Sequence, residues 1–258
     1  MSVTRLLPAV LGAGLVFVLH AGVARADIVT RYVDYRHGDT ALSGYLAYDD
    51  GLAGRRPGVL LVHDRAGLAE KTLEDARMIA RMGYVVFAAD IFGKGVIPQT
   101  VPEMRALSEL YGGDRPLMRA RARAGLDALS ANPMVDNTKL AVIGYCFGGT
   151  VAIELAESGA PLDGVIPVHG SFRDFAPEAA KNIQGRVLIL HGAEDQTAPL
   201  EEVNKLIADL RAAEVGWQLE LYSGASHAFT TPRTPSEERA DMEYKAAIER
   251  FFAEIFGG

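Results

Sequence analysis

The 258-residue sequence has a single cysteine, Cys146, and a single tryptophan. With no second thiol there can be no intrachain disulfide, so an apolar core must hold the fold together. Positive charge is also short: 26 Lys and Arg face 33 Asp and Glu, a formal net charge of −7. That balance, without any basic stripe, argues against a nucleic-acid partner. Internal repeats and low-complexity linkers are missing too, which argues against a string of modules. What remains, 49% hydrophobic and 23% charged residues, is the composition of one large globular domain.

One long apolar run exists. Arg5 is followed by "LLPAVLGAGLVFVLHAGV" and then "ARAD", where Ala24-Arg25-Ala26 has the small-x-small form of a cleavage site. Residues 1–26 read as a signal peptide and Asp27 as the mature start, which implies a periplasmic or secreted protein. A retained anchor is the alternative; a run of only about 18 residues broken by Pro8 and three glycines disfavours it, so no stable membrane anchor is expected after cleavage. An oxidising compartment gives Cys146 no partner, and its thiol is then either buried and inert or kept for its chemistry.

Residues 27–258 read as one domain. "VTRYVDYRHGDTALSGYLAYDD" alternates apolar and polar residues on either side of "HGD", the pattern of an antiparallel hairpin. Continuous apolar runs follow at 58–63, 84–90, 139–146, 163–170, 186–192 and 217–222, separated by helical stretches, as in parallel strands buried on both faces. "GDRPLMRARARAGLDALSANP" has a capping Asp114, an early Pro116 and a stop at Asn132-Pro133, so it reads as a helix whose arginines form a solvated face. Ile248, Phe251, Phe252, Ile255 and Phe256 make one apolar stripe on a terminal helix. The expectation is a three-layer α/β fold, with a mostly parallel sheet of about eight strands and an N-terminal antiparallel hairpin. Ligands then bind beyond the carboxyl ends of the strands.

At one such end stands "VIGYCFGGT", in which Gly144-x-Cys146-x-Gly148 joins a buried strand to a helix. A tight strand-to-helix turn needs small residues around an exposed nucleophile, and the helix N-terminus favours a thiolate there. The alternative is a buried structural cysteine. A base and an orienting acid are expected downstream in the order acid, then histidine. Glu194 and Asp195 follow the strand 186–192, and His227 follows the strand 217–222. The shorter Asp195 lies deeper in its loop, although spacing leaves both acids open. Backbone N–H groups of Phe147, next to the nucleophile, and of Arg65, after the first long strand, are the candidate oxyanion donors. His63, His169 and His191 also end strands, but no H-x-H or H-x-x-x-H spacing accompanies them, so no metal and no cofactor is expected and loop backbone is their natural partner. Ser171 and Ser226 are weaker candidate nucleophiles because neither sits in an elbow.

The pieces "PGVLLVHDRAGL", "GYVVFAADIFGKG", "LAVIGYCFGGT", "VLILHGAEDQTAP" and "SHAFT" together resemble the dienelactone hydrolase family of α/β-hydrolases. The resemblance implies a Cys146, Asp195, His227 triad and so selects Asp195. It also implies a thiol-modulating carboxylate after the first long strand, at Asp64, where the family usually has glutamate; one methylene less shortens its reach by about 1.5 Å. Two substrate-binding arginines are implied as well. The first matches Lys94; the second falls on Thr231, with Arg233 nearby, and a lysine lacks the bidentate fork of arginine. The expected function is hydrolysis of small esters or lactones through a thioester, with activated esters and lactones preferred over amides. Its rival is a non-catalytic binding or scaffold protein that keeps the fold. A monomer or weak homodimer is expected.

Overall fold

The computed structural model describes Met1, residues 27–173 and residues 175–257. Apart from Met1, the expected leader at 1–26 lies outside the described residues. Strands β1 (Ile28–His37) and β2 (Thr40–Asp49) form the expected hairpin, closed by Gly38 at φ 54°. Six strands follow: β3 (Arg56–Val62), β4 (Val85–Ala89), β5 (Val135–Tyr145), β6 (Gly164–Val168), β7 (Arg186–Gly192) and β8 (Trp217–Tyr222). They assemble in the order β1-β2-β4-β3-β5-β6-β7-β8, antiparallel as far as β4 and parallel from β4 to β8. The single mostly parallel eight-stranded sheet matches the expected architecture.

Burial on both faces explains the unbroken apolar runs. Along β3, Leu60 and Val62 face a core built with α3 (Arg115–Ser130), α4 (Phe147–Glu157) and α5 (Leu200–Ala212). Val59 and Leu61 point the other way, into a core built with α1 (Glu70–Arg81) and α6 (Pro235–Phe256). These two cores are the interfaces of a three-layer sandwich. The stripe on α6 lies in the second, with Ile248, Phe251, Phe252 and Phe256 all buried and Ile255 packed against it.

Two elements depart from the sequence reading. Residues Val101–Gly113 form a helix, α2, over the carboxyl edge of the sheet, its start capped by Thr100 Oγ1, which accepts from the Glu103 N–H. The arginines of α3 are not one solvated face: Arg119 bonds Glu154 and Arg123 bonds Asp127, but Arg121 is buried. The helical period accounts for it, because Arg121 falls on the inward stripe of Met118, Ala122, Gly125 and Leu129. The N-cap Asp114 does as expected and accepts from the Leu117 N–H at 3.0 Å.

Candidate active site

Cys146 is the residue between β5 and α4, at φ 53° and ψ −114°. A non-glycine residue in that region is strained, and the surrounding backbone leaves it little alternative. Its N–H is tied to the Val168 carbonyl at 2.9 Å, and its own carbonyl accepts from the Gly149 N–H. A Cβ on Gly144 would collide with the Gly148 carbonyl, and one on Gly148 with the Val62 carbonyl. The small residues of the motif are therefore dictated by main chain passing close by, and the turn holds the thiol out at the first turn of α4.

The acid and the imidazole come from neighbouring loops that are stitched together. The N–H groups of Ala193 and Glu194 donate to the carbonyls of Tyr222 and Ala225, each at 2.9 Å. Asp195 is buried and Glu194 exposed. One oxygen of Asp195 accepts from the N–H groups of Thr197 and Ala198 at 2.8 and 2.9 Å, which fixes the carboxylate within its own loop. The other oxygen accepts from His227 Nδ1 at 2.8 Å. That bond leaves His227 Nε2 facing Cys146 Sγ at 3.1 Å. Phe229 anchors the histidine loop by packing fully buried against Tyr222, Tyr244 and the ring of His169.

Burial pushes the His227 imidazole down, but the hydrogen bonds to Asp195 and Cys146, reinforced by charge on both, raise it to about 9. Burial likewise pushes the Asp195 carboxyl up, and the bonds from His227 and the Ala198 N–H outweigh it, leaving the group below its usual range. The arrangement suits an imidazolium poised between a carboxylate and a sulfur.

Cys146, Phe147 and His227 line a cavity of about 420 Å³ with Arg65, Arg115 and Arg173. The N–H groups of Phe147 and Arg65 have no acceptor among the described residues, as suits donors aimed at a ligand. Phe147 is the first residue of α4, where no intrahelical acceptor exists. A groove of about 490 Å³ between the hairpin and α3 contains no nucleophile.

Several other residues take other partners. Asp64 turns its carboxylate into its own loop, where Oδ1 accepts from the Ala66 N–H at 2.7 Å, and the thiol is hydrogen-bonded by His227 instead. Lys94 is not at the site: Gly93 and Gly95, both at positive φ, turn the loop outward, and Lys94 pairs with Asp34 of β1 at 2.5 Å. Arg233 lies behind the histidine, donating to the His227 carbonyl at 3.1 Å and pairing with Glu237, outside the cavity lining. Ser171 and Ser226 donate to Glu202 and Glu237 respectively. Cationic residues lining the cavity are instead Arg65, Arg115, which is bonded to Glu154 and stacked over Phe175, and Arg173, which is paired with Glu202. The sequence signal for Arg115 was its place directly after the helix-capping Asp114.

The strand-end histidines divide. His63 donates from Nδ1 to the Asp64 carbonyl and accepts at Nε2 from the Ile91 N–H, while His191 Nε2 reaches the Ala198 carbonyl, so loop backbone serves both. His169 differs in its Nε2, which meets a side chain, Thr230 Oγ1, at 3.3 Å; its buried Nδ1, like that of His191, has no hydrogen-bond partner among the described residues. It stands edge-on to His227, with ring centroids 5.0 Å apart. Burial, aided by the nearby charge of His227, holds it well below the ordinary histidine range.

Comparison with known proteins follows the same geometry. The dienelactone hydrolase family profile matches residues 42–256. The solved structure called m3DLH is 37% identical, with a TM-score of 0.82 over 89% of this chain and 99% of its own. A dienelactone hydrolase-like promiscuous phosphotriesterase, P91, from metagenomic libraries is 35% identical, with a TM-score of 0.83 over 88% of this chain and 98% of its own. A Yersinia pestis protein named "Putative carboxymethylenebutenolidase" is 25% identical over 217 residues, 76% of each chain.

Proposed function

The chain belongs to the dienelactone hydrolase family and is a hydrolase, and from that premise we propose that it cleaves small carboxylic esters or lactones through a Cys146, His227, Asp195 triad and a covalent thioester. The Cys146 thiolate attacks the acyl carbon, and the N–H groups of Phe147 and Arg65 stabilise the oxyanion. The leaving alkoxide takes the proton of His227 as the carbon–oxygen bond breaks. The neutral imidazole then removes a proton from water, whose oxygen attacks the thioester, and the acid leaves as the thiolate is restored. Asp195 keeps His227 Nδ1 protonated, so that Nε2 works on the reacting side.

The observation that carries this reading is the continuous line from Sγ through Nε2 and Nδ1 to Oδ2, at 3.1 and 2.8 Å, opening on a cavity with two unused N–H donors. Small substrates suit a cavity of about 420 Å³. The test is a panel of aryl esters and lactones assayed on the protein and on Cys146→Ala, whose turnover is expected to fall by about 10⁴-fold or more. Equal hydrolysis by that variant overturns the mechanism.

A further inference from the structure

We propose that Cys146, His227 and His169 together form a binding site for a borderline-soft divalent cation such as Zn²⁺, which when bound closes the nucleophile to substrate. The sulfur of Cys146 and one ring nitrogen from each histidine all lie within 4.8 Å of one another. One thiolate and two imidazoles are a donor set that Zn²⁺ accepts readily and that hard cations do not. His227 already carries the outer partner of a metal-bound histidine: Nδ1 donates to Asp195, fixing the ring with its Nε2 lone pair turned toward the sulfur. His169 adds an independent sign. Its ring is buried to 2% exposure, one of its nitrogens lies within 4.8 Å of the other two donors, and its Nδ1 has no hydrogen-bond partner among the described residues. A buried polar nitrogen left without a partner is costly, and a cation would supply one.

The geometry needs modest adjustment. Tetrahedral zinc, with bonds of about 2.3 Å to sulfur and about 2.0 Å to nitrogen, sets its ligand atoms about 3.5 Å apart. Cys146 Sγ and His227 Nε2 at 3.1 Å must part slightly, and His169 must tilt inward from within 4.8 Å. Cys146 and His227 line the open cavity, which gives the ion an entry path and leaves its fourth position to water. Binding to the thiolate–imidazolium pair releases one proton, from His227 Nε2, because that nitrogen must give its lone pair to the metal. The bound ion occupies both the nucleophile and the base, so it acts as an off-switch for hydrolysis.

The cation site stands on the donor geometry, and only its action as an off-switch rests on the hydrolytic reading, so the site is tested by binding. Zn²⁺ is titrated calorimetrically into the metal-stripped protein, and cadmium NMR of the Cd²⁺-loaded wild type reads the donor set directly. The expected results are one equivalent of Zn²⁺, a cadmium shift for one sulfur and two nitrogens, and affinity at least about tenfold weaker in Cys146→Ser and His169→Asn. No binding, binding unchanged in Cys146→Ser, or a cadmium donor set lacking either the sulfur or the second nitrogen overturns the proposal. The cadmium readout decides the question even where the His169 variant does not fold. A protein that binds the metal but hydrolyses no ester refutes the hydrolytic reading alone.

Discussion

Asp195 divides its two oxygens between jobs that need a short side chain: one closes its own loop on the Thr197 and Ala198 N–H groups, the other holds His227. Glu194 next to it is exposed, and spacing alone did not separate the two acids, since they are adjacent in one loop. Asp195→Asn keeps the size but turns the imidazole to the wrong tautomer, and kcat is expected to drop by about 10²–10⁴ with KM little changed in steady-state kinetics. His227 predicts a pH effect of definite sign. Its folded value, about 9, lies above the ordinary 6.5, so the stability it contributes is complete below pH 6.5 and is lost as pH rises through 9. Thermal denaturation from pH 6.5 to 9 is expected to show wild type losing Tm relative to His227→Gln across that window; parallel curves contradict the assignment. Lys94 and Asp64, implied as site residues by resemblance, take other partners here for a physical reason that no local pattern carries. Their partners are set by loop turns and, for Lys94, by an aspartate on a strand 60 residues away in sequence.

The elements themselves were largely legible. β7 and β8 coincide with their apolar runs, and the elbow followed from glycines whose spacing reflects main-chain crowding. Gly148→Ala would drive a methyl into the Val62 carbonyl of β3, and backbone has no rotamer by which to yield. A loss of about 3 kcal/mol or more in denaturant unfolding is expected, where a tolerated alanine would show that the elbow is not packed as described. α2 was missed although "TVPE" holds its capping Thr100, an early Pro102 and Glu103, which accepts from the Gln99 N–H. Its weak apolar periodicity hid it, with Tyr111 its one buried residue. α4 also carries a buried acid pair. Burial, together with the charge of Glu154 one turn earlier, raises the Glu157 carboxyl to about 8, so ionising it opposes folding. Glu157→Gln is expected to raise Tm at pH 8 by about 2–4 °C, the equivalent of 1 kcal/mol in a chain of this length, and to leave it unchanged below pH 4.5.

At the scale of the molecule, the fold class was readable because parallel strands buried on both faces leave unbroken apolar runs, and chain order alone ranked thiol, acid and histidine at one sheet edge. What the order could not reveal was which cations face the cavity, since Arg115 and Arg173 are brought there by helix α3 and by the loop after β6. No described helix is long and apolar enough to cross a membrane. Export with cleavage after Ala26 is proposed from the leader pattern, and intact-mass analysis of exported protein is expected to find Asp27 at the N-terminus; a band retaining residues 1–26 contradicts it. The central claim is that a carbon–sulfur bond forms at the elbow between β5 and α4. The most direct measurement is rapid acid quenching of the protein with a p-nitrophenyl ester, followed by intact and peptide mass analysis. The account predicts one acyl group on the peptide containing Cys146, formed within the burst of nitrophenol release and lost on further turnover. Hydrolysis with Cys146 unmodified throughout, or an acyl group on any other residue, would contradict it.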